Sequence, residues 1–220
     1  MQIMPRPKKT NKGMTFPPEV LTTNEVWALV KACGRRSWAG ARNRALIIVL
    51  WRTGLRCAEA LALRTVDIDA EACTVHVMRG KGGKSRTVGM DPGSFVVIEQ
   101  WLQVRQELGV KQSAPLFCTA SGGPVSSAYV RATIRRLGIR ASIAKRVHAH
   151  MLRHTMAFEL RQDGEDIGVI SKQLGHSSIA TTARYLDHVA PAAVIDAMRK
   201  RSLPDGMVEA MAQRLPRRTK

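Results

Sequence analysis

Hydrophobic residues recur at helical spacing over most of the chain. The first such stretch begins near Leu21, where Thr22 and Glu25 have the spacing of a capping box and apolar residues follow on one helical face. The next stretch stops at Gly54, a typical helix terminator. The same pattern predicts helices at residues 41–52, 57–63, 95–108, 126–137, 151–162, 167–174, 179–186 and 191–201.

The pattern becomes that of β-strands between the third and fourth predicted helices. Residues 74–78 and 85–90 have strand-like sequences, and the segment RGKGGK between them is typical of a turn. Residues 67–69 add a short third strand. The sequence therefore predicts an α+β fold that is mostly α-helical, with one small three-stranded antiparallel sheet.

Composition narrows the classes of partner. The 220-residue chain has 35 Lys and Arg residues against 17 Asp and Glu residues, a formal net charge of +18, and is 45% hydrophobic. This excludes a wholly disordered basic chain and favours a polyanionic partner, above all nucleic acid. No apolar run approaches the ~20 residues of a membrane span. The four cysteines are scattered, which argues against a zinc module or a disulfide scaffold and favours the cytoplasm.

Two segments in the first half of the chain combine glycine with basic residues. Arg56 precedes Glu59 by three residues, so this carboxylate can orient the guanidinium across one helical turn. The predicted hairpin can bring Lys81 and backbone amides close to a phosphate, although it lacks the P-loop pattern. A surface Arg–Glu pair and a solvated basic hairpin are the respective structural alternatives.

Two segments in the second half carry histidine, arginine and tyrosine. His150 and Arg153 project from one side of a helix start, which suits proton transfer and oxyanion stabilisation at a phosphate. A helix-capping histidine is the alternative, and a zinc site is disfavoured because H-E-x-x-H is absent. Gly175 is a predicted helix stop before His176. Tyr185, taken alone, is typical of a half-buried packing residue.

Taken in chain order, these four segments resemble the tyrosine recombinase (phage-integrase-type) family. The matching motifs are TGLRCAE, GKGGKSR in a hairpin, HMLRH and LGHSS…TTARY. They agree in order and in spacing, from about residue 21 to about residue 187. The resemblance implies the fold of a tyrosine recombinase catalytic domain.

The resemblance also implies six catalytic residues, namely Arg56, Lys81, His150, Arg153, His176 and Tyr185. Arg56 and Arg153 would clamp the non-bridging oxygens of the scissile phosphate. Lys81 would protonate the leaving 5′-oxygen, and His150 would act as the general base.

The nucleophile in this scheme is Tyr185, and His176 would donate a hydrogen bond to the phosphate. The product would be a 3′-phosphotyrosyl bond and a free 5′-hydroxyl. Because that bond conserves the energy of the phosphodiester, neither ATP nor a metal nor any other cofactor is expected.

Further basic residues are expected to contact double-stranded DNA. Residues 131–146 contain no acid, and in the family the equivalent helix approaches a DNA groove. A solvated charged face is the alternative, disfavoured because acidic residues are not interleaved. The candidate DNA-binding residues are Arg79, Lys84, Arg86, Arg131, Arg135, Arg136, Arg140, Lys145 and Arg146.

Three regions are predicted: a basic arm at residues 1–16, a tyrosine recombinase catalytic domain at 17–190, and a C-terminal helix with a basic tail at 191–220. Typical family members place a core-binding domain first, and about 20 residues are too few for one. The chain in this respect resembles short, stand-alone recombinases of the fimbrial-switch type. A trimmed chain and a partner that supplies the missing domain are alternatives.

The C-terminal segment of family members packs against the neighbouring protomer. This implies a homotetramer on synapsed DNA and leaves a monomer open for the protein when free. The alternative is a helix docked on its own domain.

The resemblance thus implies a site-specific DNA recombinase or integrase, cytoplasmic and nucleoid-associated, with no membrane partner. Strand relaxation of the type IB topoisomerase kind is one alternative. A non-catalytic DNA-binding regulator on the same fold is another, disfavoured because all six motif positions are occupied. A general RNA-binding basic protein would explain the charge but not the motifs.

Overall fold

The computed structural model describes residues 19–78 and 85–176, together with residues 178, 180, 182, 183 and 199. The helices within these ranges are α1 (Thr23–Ala32), α2 (Trp38–Thr53), α3 (Cys57–Ala62), α4 (Pro92–Glu107), α5 (Ser127–Arg140), α6 (Ala149–Gln162) and α7 (Ile167–Leu174). The strands are β1 (Ile68–Asp69), β2 (Thr74–Val77) and β3 (Arg86–Gly89), with a 3-10 turn at Thr65–Asp67. The predicted mostly helical α+β fold is confirmed.

The three strands form one antiparallel sheet in the order β1-β2-β3. Ile68 lies opposite Val75, and Val75 lies opposite Val88. Val75, Val77 and Val88 are buried, so one face of the sheet covers the core. Since side chains alternate between the faces of a strand, this apolar spacing fixes the register of the sheet.

Helix α2 lies at the centre of the core, between α4 and α6. Its residues from Ala45 to Leu50 are all buried, so the helix is apolar on nearly all sides. On α4, Trp101 is fully buried and its indole N–H donates to the carbonyl of Leu116 at 2.8 Å. This arrangement holds the C-terminal end of α2 in place, and the candidate site is built there.

Several helices begin earlier than the apolar pattern predicts, because their first turns are determined by caps. Ser37 caps α2 through a bond from the amide of Gly40, and Asp91 caps α4 ahead of Pro92 at the first helical position. Apart from Trp38, the residues of these two first turns that precede the predicted starts are small, polar or proline, so they add little to an apolar stripe.

Some predicted features lie outside the described residues: the arm at 1–16, the hairpin turn at 79–84, and most of the helices predicted at 179–186 and 191–201. In the part of the chain that is described, no helix is long and apolar enough to cross a membrane.

Candidate active site

Arg56 is presented by the turn between α2 and α3. Gly54 ends α2 in the left-handed conformation, with φ of 65°, and Arg56 then occupies the N-cap position of α3. Its Nη1 atom donates to Oε1 of Glu59 at 3.0 Å, and its backbone amide donates to Oε2 at 2.8 Å. The prediction that Glu59 orients Arg56 is confirmed, and 36% of the Arg56 side chain remains exposed.

Glu59 also binds Arg86, the first residue of β3. Arg86 donates from Nη1 to Oε1 at 3.0 Å and from Nη2 to Oε2 at 2.9 Å. Burial alone would raise the pKa of Glu59, but hydrogen bonds from Arg86 and from the Arg56 amide outweigh burial and lower it below its ordinary value. Glu59 is therefore an ionised, buried carboxylate shared by two arginines.

Arg153, on α6, connects the ends of two other helices. Its guanidinium donates to the carbonyl of Gly54 at the end of α2. Its Nη2 atom also lies 2.8 Å from the carbonyl of Leu174 and 3.0 Å from Nε2 of His176. The residue is only 1% exposed. Burial of this charge is tolerated because carbonyl and imidazole acceptors surround it.

His176 follows Gly175, which ends α7 in the left-handed conformation. Because Nε2 accepts from Arg153, the ring proton is assigned to Nδ1, which lies 2.8 Å from the hydroxyl of Thr182. Burial, followed by the charges of Arg153 and Arg56, lowers the pKa of His176 to about 4. The imidazole is therefore neutral at neutral pH.

The start of α6 carries three histidines with different contacts. His148 caps the helix through a bond of 3.2 Å from the amide of Met151, so the capping role considered for His150 belongs to His148. The rings of His150 and His154 form a T-shaped pair, with centroids 4.3 Å apart. Burial and then the charge of Arg153 lower the pKa of His150, which keeps it in the form that a general base requires.

Arg56 and His150 line one cleft of about 940 Å³. Arg131 of α5 and Arg146 line the same cleft, so four nitrogen-bearing side chains of the predicted sets meet there. Arg153 and His176 are bonded to each other close by, and the charge of Arg153, after burial, lowers the pKa of both His150 and His176. The arrangement can bind an anion and move a proton, the two tasks of phosphoryl transfer.

Apart from Arg86, which binds Glu59, the other candidate DNA-binding residues in the described part of the chain fall into two groups. Arg135 and Arg136 are exposed on α5. Arg140 instead donates to the carbonyl of Ala32 at 3.2 Å, and Lys145 binds Glu25 at 2.6 Å. DNA contact by this set stays a prediction. The predicted residues outside the described part of the chain are Arg79, Lys81, Lys84 and Tyr185.

One polar residue that connects the elements of the site was missed in the sequence. The amide group of Gln173 donates to the carbonyl of Gly89 at 2.8 Å and accepts from its N–H at 3.1 Å, as a neighbouring strand would. Gln173 also donates to the carbonyl of Thr53 at 3.3 Å. No local signal reveals such a contact, because the partner lies 84 positions away in the sequence.

Among the residues that the structure describes, no cluster of three or more His, Cys, Asp or Glu side chains has the arrangement of a metal site.

Comparison with known proteins identifies the family. The sequence profile of the phage integrase family matches residues 19–191. The tyrosine recombinase XerC of Xanthomonas axonopodis pv. citri (strain 306) is 35% identical over 187 residues, a match that covers 84% of this chain and 60% of that protein. This chain therefore spans less than two thirds of the length of that relative.

Two solved structures share the fold. The XerA recombinase superposes with a TM-score of 0.74 at 29% identity, covering 86% of this chain and 68% of that one. XerH bound to a palindromic difH substrate, in a post-cleavage complex, gives 0.70 at 29% identity, covering 83% and 53%. With the motifs, the site geometry and the profile in agreement, the chain belongs to the phage integrase family, and its fold is that of a tyrosine recombinase catalytic domain.

Proposed function

We propose that the protein is a site-specific DNA recombinase that cleaves and rejoins strands of double-stranded DNA through a 3′-phosphotyrosyl intermediate. The observation that carries this proposal is that Arg56 and His150 line one basic cleft and that the bonded pair of Arg153 and His176 lies close enough for their charges to interact. The similarity to XerH, solved with DNA after cleavage, supports DNA as the partner.

Tyr185 is the proposed nucleophile. A phenol has a pKa near 10 and attacks poorly unless a base removes its proton. A neutral His150 can accept that proton, and Arg56 stabilises the charge that develops on the phosphate oxygens. Lys81 donates a proton to the leaving 5′-oxygen. The balance is one phosphodiester broken and one phosphotyrosine formed, so the reaction needs neither ATP nor a metal.

Arg153 and His176 act later in this scheme than Arg56. Because Arg153 is 1% exposed, it reaches the phosphate only after DNA opens its surroundings locally. His176 accepts from Arg153 through Nε2, so donation to the phosphate requires this nitrogen to gain a proton. A phosphate dianion-like transition state favours that protonation, since a nearby negative charge raises a histidine pKa.

Covalent trapping on DNA tests the proposal. Nicked suicide duplexes that tile the DNA beside the gene would be incubated with the protein in EDTA, and denaturing gels would be read for a protein–DNA adduct. The chain has two tyrosines, so Tyr185→Phe has a matched control in Tyr129→Phe. Tyr129 lies on α5, where its hydroxyl accepts from Arg42 at 2.9 Å.

We expect an adduct with the wild-type protein and with Tyr129→Phe, and none with Tyr185→Phe. An adduct that survives Tyr185→Phe would overturn the assignment of the nucleophile. Tight binding with no adduct on any duplex would favour the non-catalytic regulator. Relaxation of supercoiled plasmid without exchange between two sites would favour the topoisomerase-like alternative.

The proposed assembly is a homotetramer on synapsed DNA in the nucleoid. The basic arm at 1–16 holds DNA, the domain at 17–190 cleaves it, and the segment at 191–220 packs against a neighbouring protomer, in the manner of short fimbrial-switch-type recombinases. Deletion of residues 191–220 should abolish synapsis and spare binding to a single site. Tetramers retained after the deletion, in native gels, would contradict this role.

A further inference from the structure

We propose that Arg86 is a positioning residue for strand cleavage: it neutralises Glu59 so that the charge of Arg56 stays available to the phosphate. This inference rests on the proposed function and goes beyond it. The sequence predicts that Arg86 contacts DNA, whereas in the structure Arg86 binds Glu59 inside the protein. The residue belongs to the hairpin strand, yet it binds the motif that carries Arg56.

The hydrogen bonds of Glu59 are divided unequally between the two arginines. Arg86 makes two parallel side-chain bonds to the carboxylate, at 3.0 and 2.9 Å, whereas Arg56 makes one at 3.0 Å and contributes its backbone amide. The Arg86 side chain is 16% exposed and that of Arg56 is 36% exposed. Arg86 thus faces the protein interior, and Arg56 faces the cleft.

The charges explain why this division matters. Two guanidinium groups share one carboxylate, so the cluster keeps one net positive charge, and the more exposed cation carries it into the cleft. Glu59 is 5% exposed, and a buried carboxylate without a full partner is costly. If Arg86 were absent, Glu59 would take Arg56 as its two-bond partner and draw it away from the cleft.

A second contact fixes the position of Arg86. A Cβ atom built on Gly175 would lie 2.6 Å from Nε and 2.7 Å from Cζ of Arg86, so the guanidinium rests against a glycine that no larger residue could replace without displacing it. Gly175 directly precedes His176. Arg86 belongs to the GKGGKSR motif, and it therefore contacts both the motif that carries Arg56 and the motif that carries His176.

Single-turnover adduct formation on a suicide duplex gives the functional test. We expect Arg86→Met to slow the reaction by about 100-fold, the cost of a small misplacement of a catalytic group. The double variant Arg86→Met/Glu59→Gln should recover about tenfold of that loss, because a neutral amide does not draw Arg56 away. Arg161→Met, an exposed arginine near the end of α6, is the matched control and should react at the wild-type rate.

Nitrogen-15 NMR of the arginine guanidinium groups gives a readout that needs no DNA. The Arg56 signal is assigned through Arg56→Lys. It should show that the Arg56 guanidinium rotates more slowly in Arg86→Met than in the wild-type protein, and that the rate of rotation returns to the wild-type value in the double variant. An unchanged Arg56 signal, or a double variant as slow as Arg86→Met in cleavage, would overturn the proposal. If the wild-type protein forms no adduct on any duplex, the proposed function fails, and the NMR result alone decides the role of Arg86.

Discussion

At the scale of single residues, the histidines near the site are held neutral by their surroundings. His154 has the most strongly lowered pKa of these histidines: burial, followed by the charges of His150 and His148, lowers it to about 3. The pKa of His176 is lowered to about 4, with burial again the first cause. Burial is the main reason that the protonated imidazole is disfavoured at both positions, and the neighbouring basic side chains add to it.

The lowered pKa of His154 predicts that acid weakens the fold. Above the ordinary pKa of 6.5, neither the folded nor the unfolded protein protonates this residue. As the pH falls below 6.5, His154 becomes protonated in the unfolded chain but stays neutral in the folded protein until about pH 3. The free energy of unfolding therefore decreases over this range. His154→Gln should reduce that slope by about 1 kcal/mol per pH unit in chemical denaturation measured from pH 4 to 6.

An internal control comes from the same titration. Above pH 6.5 the wild-type and His154→Gln curves of stability against pH should run parallel. Identical slopes on the acid side would show that His154 protonates equally in the folded and unfolded states.

At the scale of elements, the site is built where helices stop. Gly54 ends α2 and Gly175 ends α7, both at positive φ, and the carbonyls of Gly54 and Leu174 at these two ends accept from Arg153. A helix end leaves carbonyls without partners inside the helix. When two such ends lie side by side, their free carbonyls can together bind one buried guanidinium.

Gly54 is restricted by its backbone and by its neighbours. A Cβ atom there would lie 1.9 Å from Cε of Met156 and 3.2 Å from a Leu174 methyl group, at a φ of 65°. Gly54→Ala should lower the free energy of unfolding by about 2–4 kcal/mol, the sum of left-handed strain and overpacking. Gly109→Ala is the matched control: its φ is 68° and no atom lies within 4 Å of the added Cβ. It should cost about 1 kcal/mol.

Urea unfolding of both alanine variants measures the difference. Equal decreases in the free energy of unfolding for Gly54→Ala and Gly109→Ala would mean that Met156 moves aside without cost. Overpacking at the end of α2 would then contribute nothing to the destabilisation.

Gln173 connects α7 to the end of β3 and to the end of α2. Gln173→Glu keeps the size but places a carboxylate oxygen against the carbonyls of Gly89 and Thr53. We expect a loss of about 1–2 kcal/mol and faster hydrogen exchange of the Gly89 amide. Gln103→Glu, on the exposed face of α4, should change neither quantity. An unchanged rate of hydrogen exchange at the Gly89 amide would show that Gln173 does not stabilise the end of β3.

At the scale of the whole molecule, the proposed function predicts that charge governs the encounter with DNA. The chain has a formal net charge of +18, and Arg131 and Arg146 line the same cleft as Arg56. A protein that neutralises roughly 6–10 phosphates releases their counterions, so its affinity falls steeply with salt. On the proposed function, we expect the basic residues to supply DNA binding that does not depend on base sequence and that precedes any selective contact.

The salt dependence of binding can be measured by fluorescence anisotropy on a labelled duplex. The slope of log K against log salt should be about −5 to −9, and Arg131→Gln/Arg135→Gln should reduce its magnitude by about 2. Arg161→Gln should leave the slope unchanged. An unaltered slope in the α5 double variant would place the phosphate contacts elsewhere on the surface.

The amino-acid sequence by itself determined the helices, the small sheet and the order of the four motifs. These features depend on contacts between near neighbours: the capping box of Thr22 and Glu25, the spacing of Arg56 and Glu59, and the apolar stripes. The tertiary structure alone decided that Arg86 binds Glu59 and that Gln173 pairs with Gly89. These contacts join residues 27 and 84 positions apart, so they form only when the core brings α3, α7 and β3 together, and no local pattern encodes them.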